Sequence, residues 1–154
     1  FEPIPQPPHP PVPPFLTPTA AYALFYNNSA TGATYAAGEN IAYQSTLYNT
    51  ATADIVNNNG LITLSGGTTG KAYLVNYQVT GETANDATLA LAINGTVDSN
   101  SEIIPNSATG TSNGSYIVNV PANSTSTVAL RVVSGTVTTA SPTVGSYFSV
   151  IRIA

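Results

Sequence analysis

Apolar and polar side chains alternate along Gly70–Val79 with the two-residue period of a β-strand. One side of this stretch is aromatic and β-branched, and it consists of Tyr73, Val75, Tyr77 and Val79. The opposite side carries Leu74, Asn76 and Gln78. The pattern predicts a central strand with one face in a hydrophobic core.

The end of the chain, Gly145–Ala154, alternates in the same way but is apolar on both sides. Phe148 and Val150 share one side. The other side carries Tyr147, Ile151 and Ile153. A strand that is apolar on both faces needs two covers, and a small domain with one core supplies only one. The pattern therefore suggests that another copy of the chain provides the second cover.

Short strands separated by turn residues continue through the rest of the chain after Thr19. The predicted strands are Ala20–Tyr26, one or two strands within Ala33–Thr50 broken near Gly38–Asn40, Gly60–Leu64, Gly70–Val79, Ala87–Ile93, Thr96–Ile104, Ser115–Val120, Ser126–Ser134 and Tyr147–Ile153. Asn94-Gly95 is a strong hairpin signal, and Pro105–Gly114 reads as a polar loop. Since no helical stripe is longer than one turn, the chain is predicted to be all-β, a sandwich or jelly roll of two antiparallel sheets.

Residues 1–18 form a separate segment, because Phe1–Pro18 holds nine of the twelve prolines. Proline fixes φ and lacks a backbone donor, so this connector arm is predicted to be extended polyproline II, followed by one domain over 19–154. A solvated linker is one interpretation of such a composition. The arm also carries apolar residues that a plain spacer does not need, which favours docking on a neighbouring subunit. These are Phe1, Ile4, Val12, Phe15 and Leu16.

Composition narrows the classes of function. Only 6% of the 154 residues are charged, and the net charge is -4. The three basic residues, Lys71, Arg131 and Arg152, make no basic patch, so nucleic-acid binding is not expected. The absence of cysteine excludes disulfides and thiolate metal sites. No apolar run approaches the roughly 20 residues of a membrane span, so none is predicted.

The order of these motifs resembles the TNF-like jelly rolls, including the complement-type globular heads. Gly70–Val79, followed by Ala87–Gly95 with its final Asn-Gly, is similar to two consecutive strands of that family. Tyr147-Phe-Ser-Val-Ile-Arg-Ile153 is similar to the family's closing strand, and Arg131 lies where the penultimate strand is expected. The Thr, Ser, Asn and Gly content is typical of the heads of BclA-type bacterial spore-surface glycoproteins.

The resemblance implies a homotrimer built around the closing strands. Phe148 and Val150 would then lie in the sandwich core. The implied trimer-interface residues are Leu74, Tyr147, Ile151 and Ile153. Two features depart from the family pattern: Tyr73 lies three residues after Gly70 rather than two, and the arm stands where BclA-type chains have a collagen-like stalk.

Candidate chemistry is sparse. His9, the only histidine, lies between two prolines of the arm, which supplies poorly the rigid base that a catalytic triad needs. Four acids flank the predicted hairpin and offer oxygen ligands for Ca²⁺, although they match no calcium-loop signature and solvated turn carboxylates are commoner. They are Glu82, Asp86, Asp98 and Glu102. We therefore predict no enzyme activity, no catalytic residue, no metal site and no cofactor.

Two further motifs are weak. Gly66–Lys71 superficially resembles a phosphate loop, but Lys71 opens a strand rather than a helix, so phosphate binding is rejected. Four Asn-x-Ser/Thr sequons are expected by chance in so Asn- and Thr-rich a chain. They begin at Asn27, Asn94, Asn113 and Asn123.

The sequence thus favours a structural subunit of a bacterial, spore-associated or cell-surface fibre, in which arms join trimeric heads into filaments held by an anchor protein. The alternative is a terminal trimeric head that binds a receptor or glycan, with the arm as a passive linker. An extracellular location is expected in both cases.

Overall fold

A computed structural model describes residues 21–29, 32–105, 110–139 and 145–154, and of residues 82–86 only the backbone. The strands in these ranges are β1 (Tyr22–Tyr26), β2 (Thr34–Ala36), β3 (Ser45–Asn49), β4 (Ile55–Asn58), β5 (Leu61–Ser65), β6 (Lys71–Ile93), β7 (Thr96–Val97), β8 (Gly110–Val120), β9 (Thr125–Thr139) and β10 (Tyr147–Arg152). A single 3-10 turn, Ser99–Ser101, is the only helical element among the described residues. The all-β prediction is confirmed.

The first sheet has the order β3-β1-β10-β6-β8, with every neighbouring pair antiparallel. Its register aligns residues that are far apart in sequence. Tyr22 lies opposite Ile151, Ile151 opposite Leu74, and Leu74 opposite Ile117. On each face of this sheet, opposed residues therefore form rows of side chains that cross the four strands β1, β10, β6 and β8.

The second sheet contains β4, β5, β9 and the second half of β6, with β2 paired to β9 and β7 to β6. Strand β6 belongs to both sheets. It starts beside Val120, meets both Gly110 and Thr139 at Gly81, and ends beside Val128. Because a short hairpin connects Val120 to β9, both ends of β6 lie at the same end of the sandwich.

The two ends of the sandwich are formed by different parts of the chain. The arm end is where Ala21, the first described residue, enters β1, and it also holds the hairpin after Val120 and the C-terminal Ala154. The far end holds Gly81, Gly110 and Gly145. Residues 1–18 therefore join the domain at the arm end.

The core between the sheets contains the two strand faces that the alternation predicted. These are the fully or almost fully buried residues Tyr73, Val75, Tyr77, Val79, Phe148 and Val150. The rings of Tyr43 and Phe148 meet edge to face, with centroids 5.5 Å apart. Both predicted inward faces are confirmed.

Buried tyrosines place their hydroxyls on main-chain carbonyls at the rim of this core. Tyr43 donates to Gln78 O at 3.0 Å, Tyr73 to Ser65 O at 2.6 Å and Tyr77 to Ser101 O at 2.7 Å. Burial raises the pKa of Tyr73 to about 12, and it also raises the pKa values of Tyr43 and Tyr77. The core is therefore stable only while these phenols remain neutral.

The strand boundaries differ from the prediction where polar or small residues take part in pairing. Gly110–Gly114, predicted as loop, forms the first part of β8 and pairs with β6. Position 114 suits glycine, because a Cβ there would lie 2.5 Å from the ring of Tyr77. The two predicted strands within residues 70–93 are one continuous strand with register shifts after Gly81.

Three other elements also differ. The prediction missed β4, because Asn57–Asn59 resembles a turn, whereas the chain reverses only at Asn59 and Gly60, both with positive φ. The strand after Asn94-Gly95 is only Thr96–Val97 rather than Thr96–Ile104. Strand β9 extends to Thr139, past the predicted end at Ser134. Within the described ranges no helix is long and apolar enough to cross a membrane.

Candidate assembly surface

The outward side of the first sheet is the candidate functional surface, and we call it the assembly face. It consists of the outward side chains of β3, β1, β10, β6 and β8. Six of the twelve large apolar residues that are exposed in the described ranges lie on this one face. The six are Tyr22, Tyr48, Ile117, Tyr147, Ile151 and Ile153.

The half of the assembly face nearest the arm end is apolar. Tyr22, Ile151, Leu74 and Ile117 form one continuous row across β1, β10, β6 and β8. Leu74 is partly buried by its neighbours, while Ile151 and Ile117 are 39% and 53% exposed. Ile153 adds a further exposed apolar side chain next to this row. Such a contiguous apolar patch is typical of a protein-protein interface.

The half nearest the far end is lined by amides, hydroxyls and a tyrosine ring. Asn76 donates to Ser149 Oγ at 3.3 Å and accepts from Ser115 Oγ at 2.7 Å, which makes a polar row across three strands. In the next row, Tyr147 lies opposite Gln78, and Gln78 lies opposite Asn113. A shallow concavity of about 390 Å³ opens between the two rows.

The ring of Tyr147 is set beside this concavity by a glycine. A Cβ at Gly145 would lie 2.7 Å from the Cζ and the hydroxyl of Tyr147, so the ring lies directly over that backbone. Gln78 donates to Gly145 O at 3.4 Å and is held in the same place. The exposed Asn113 amide has no intramolecular hydrogen bond to any described residue. The concavity therefore presents an aromatic surface and an available amide.

Charge is excluded from the assembly face, since none of the outward residues described on its strands is charged. Lys71 and Arg152 instead point into the arm end, where both bind Asp54, at 2.7 and 3.0 Å. Arg131 lies on the second sheet. An interface on the assembly face would therefore bury no side-chain charge from the described strands, and so would avoid the large cost of desolvating an unpaired charge.

The structure brings the four predicted interface residues together on two adjacent strands. Leu74 is on β6, Tyr147 and Ile151 are on β10, and Ile153 follows β10 on the same side. Sequence reasoning missed Tyr22 and Ile117, although the alternation of Tyr22–Tyr26 and Ser115–Val120 contained the signal. The predicted arm contacts at Phe1, Ile4, Val12, Phe15 and Leu16 lie outside the described residues.

The other candidate residues of the sequence, the four acids and His9, gain little support from the structure. Asp98 caps the 3-10 turn through Asn100, and it also accepts a short hydrogen bond from Tyr116 that lowers its pKa. Glu102 is exposed, and the side chains of Glu82 and Asp86 are not described. Among the described residues no group of three or more acids or histidines is placed to hold a metal ion. His9 lies outside the described ranges.

The four sequon asparagines differ in access. Asn27 is buried, and its amide donates to Tyr35 and to Ala42 O, which closes this position to modification in the folded domain. Asn94 and Asn123 occupy exposed turns with positive φ, and Asn113 is exposed on β8. In the Gly66–Lys71 loop, Lys71 binds Asp54 at 2.7 Å and opens a strand, as the rejection of phosphate binding assumed.

Comparison with known proteins gives the fold but no sequence relative. No family model and no curated protein matches the chain. The structure of Eiger TNF from S. frugiperda is similar with a TM-score of 0.63 and 12% identity, over 87% of this chain and 92% of that one. Murine APRIL gives 0.62 at 7% identity, over 86% of this chain and 99% of that one. The PRD1 vertex protein P5 gives 0.57 at 13% identity, over 87% and 97%.

At such low identity these likenesses show the fold alone. The TNF-like jelly roll expected from the strand motifs is confirmed for the described residues. None of the three similar structures named above is a BclA-type protein, so that finer resemblance stays a prediction.

Proposed function

We propose that the chain is a non-enzymatic structural subunit of a bacterial, spore-associated surface fibre, in which homotrimeric jelly-roll heads are joined head to tail by the N-terminal arms. The observation that carries this proposal is the assembly face: an uncharged, largely apolar sheet surface that no described residue of the same copy covers. The BclA-type resemblance of the sequence supports a surface location and an anchor protein at the base of the fibre.

A second copy is the simplest cover for the assembly face. Burying one large apolar side chain contributes roughly 1.5–3 kcal/mol. Ile117, Ile151 and Ile153 on each copy therefore supply a substantial driving force, opposed by the cost of association. A closed ring of three copies would bury the apolar half of the face on every subunit, whereas an open arrangement leaves it exposed at each end.

The arm is long enough to leave its own head. Eighteen residues of polyproline II span about 55 Å at about 3.1 Å each. A compact domain of this size is roughly 35–40 Å across, from the scaling of the radius of gyration with chain length. Because the arm joins the domain at the arm end, it would extend along the fibre axis to the next head.

Three arms per trimer would act together. Apolar residues such as Phe1, Ile4 and Val12 would contact the neighbouring trimer, while Phe15 and Leu16 would pack nearer their own domain. Once one arm has docked, the effective concentration of the other two is raised, so modest individual contacts give stable junctions. A stiff polyproline segment also loses little entropy on docking.

The test uses the full chain and a chain lacking residues 1–14. We expect filaments of the full chain in negative-stain images, and soluble, folded trimers of the truncated chain by light scattering. Discrete particles of the full chain would favour the terminal recognition head instead. A mass of one chain for the truncated protein would refute the trimer, and filaments formed equally well without the arm would refute its role as connector.

A further inference from the structure

We propose that the amide-lined concavity at the far end of the assembly face is the docking site for the proline-rich arm of a neighbouring subunit. The occupant is residues 1–16 of another copy of this chain. This inference rests on the proposed function, because it requires heads that are joined by arms. It adds the residues that receive the arm and the chemistry by which they recognise it.

The arm and the concavity have complementary hydrogen-bonding groups. Proline has no backbone N–H, so a segment in which half of the residues are proline offers mainly carbonyl acceptors. The concavity offers side-chain amide donors. Asn113 has no intramolecular partner among the described residues, and Gln78 uses a single long bond of 3.4 Å to Gly145 O. Asn76 retains one further N–H beyond its bond to Ser149.

An aromatic surface lies next to these amides. Proline-rich segments dock in grooves that are lined by aromatic rings, against which the proline rings pack. Tyr147 is 39% exposed, and its ring is fixed over Gly145 at the edge of the concavity. The resemblance implies a place for Tyr147 in the trimer interface, and its position beside Gln78, beyond the apolar row, would put it at the far end of that interface, where an arm can reach it. Tyr26 lies directly opposite Tyr147 on the neighbouring strand and extends the aromatic surface. Two tyrosines beside three amides make a surface suited to a polyproline helix.

The arm and the concavity lie at opposite ends of the domain. The arm joins the domain at the arm end, whereas the concavity lies towards Gly145 at the far end. In a head-to-tail stack the arm end of one trimer faces the far end of the next, so each arm is delivered to the half of the face that carries the amides. The volume of about 390 Å³ takes a few residues, so the contacts involve part of the arm.

The free edge of β8 is a less suitable site for the same segment. In the described residues β8 pairs only with β6, and its other edge is available for strand addition. Strand addition requires backbone N–H groups from the incoming segment, which the prolines lack. The outward amides of β6 and β8 supply donors without requiring any from the arm.

The experiment compares two variants of the full chain. Asn113→Ala combined with Gln78→Ala removes donors at the concavity, whereas Asn58→Ala removes an exposed amide from β4 of the second sheet, away from the assembly face. Both proteins are first confirmed as trimers by light scattering. We expect filament growth, followed by negative stain and turbidity, to slow by roughly tenfold or more in the double variant and to be unchanged in Asn58→Ala.

A crosslinking measurement does not depend on how the variants fold. A photoreactive phenylalanine analogue at Val12 of the wild-type chain, in filaments mixed from isotopically light and heavy protein, should crosslink to the peptides containing Tyr147 or Asn113 of another copy. Crosslinks elsewhere, or only within one copy, overturn the docking site. If filaments form equally well without the arm, the proposed function is refuted. If filaments require the arm but the double variant grows normally, this inference alone is refuted.

Discussion

The outer faces of the two sheets differ in how their central side chains are covered. On the second sheet the outward positions nearest its centre are alanines, and Ala90, Ala92 and Ala129 are 0–2% exposed within a single chain. On the first sheet the corresponding positions carry Leu74, Ile151 and other large side chains, several of which stay about half exposed. Among the described residues, the centre of the second face is covered and that of the first is not.

The cover of the second sheet comes from its own chain. Arg131 lies opposite Ala90, donates through Nε to Asn40 at 2.9 Å, and reaches Gly95 O at 3.1 Å. This reach carries its aliphatic stem along the alanines. The segment at Gly38–Ile41 also bonds to the outer edge of β9, through Val132 O and Leu130 O. No comparable element among the described residues covers the first sheet. The contrast suggests that the continuous row of large apolar residues on the first sheet is where another copy packs.

The largest effect is expected from a charge placed in the apolar half of the assembly face. Ile151→Asp places an unpaired charge in the proposed interface and should cost roughly several kcal/mol per site. We expect a wild-type trimer to become a monomer by light scattering.

Val133→Asp is the matched control for Ile151→Asp, since Val133 on β9 is 40% exposed and Ile151 is 39% exposed. That variant should keep the wild-type mass. Equal loss of assembly in the two variants would contradict the special role of the first sheet.

A smaller effect is expected on the self-covered side. Arg131→Ala removes two hydrogen bonds and uncovers the alanine row, which should lower the free energy of unfolding by about 1–2 kcal/mol. Arg131→Lys keeps the charge but loses the guanidinium geometry, so an intermediate value is expected. Urea denaturation measures both, and the trimer mass should not change. Dissociation of the trimer by Arg131→Ala would show that the two faces are not independent.

Alkaline pH should affect both faces together, because the buried tyrosines belong to the shared core. With the pKa of Tyr73 raised to about 12, the folded chain retains protons that the unfolded chain loses above about pH 10. Stability is therefore fully present below pH 10 and falls between about pH 10 and 12. The urea midpoint should follow this course, and Tyr73→Phe should flatten it. A midpoint independent of pH up to 12 would be inconsistent with this explanation.

The smallest expected effect is resistance to trypsin and to reductant. The three possible cleavage sites lie in strands: Lys71 begins β6, Arg131 is within β9 and Arg152 ends β10. Cleavage at Arg131 requires opening of the sandwich and should follow the population of the open form. Mass spectrometry of native digests should show at most the loss of two C-terminal residues after Arg152. Rapid cleavage at Lys71 would mean that the paired strands open locally.

Side-chain alternation was sufficient to predict the fold class and the inward faces of β6 and β10. It also placed Leu74, Tyr147, Ile151 and Ile153 on the outward side, while their role in a trimer interface stays a prediction. It was insufficient for β8, where Gly110–Gly114 is polar and small. Those residues become a strand through pairing with β6 and through the space that Gly114 leaves for Tyr77, neither of which is local.

Contacts across long sequence distances were also beyond the sequence. Asp54 binds Arg152 across 98 positions, and no spacing rule connects the two. The amides of the concavity likewise come from β6 and β8, and only the register of the strands places Gln78 beside Asn113. Polar residues at such positions resemble ordinary surface until the pairing is known.

The placement of β1 has a mechanical consequence for a fibre that is held by its arms. Tension on residues 1–18 enters the domain at Tyr22 and is directed along β1, which is bonded to β10 on one side and to β3 on the other. Pulling along a strand between two antiparallel neighbours stresses its hydrogen bonds in shear, all at once rather than one after another. Forced unfolding depends on the unfolding rate. In the proposed fibre the head would therefore resist stretching, and extraction of a subunit should begin with slippage of the arm rather than rupture of the head.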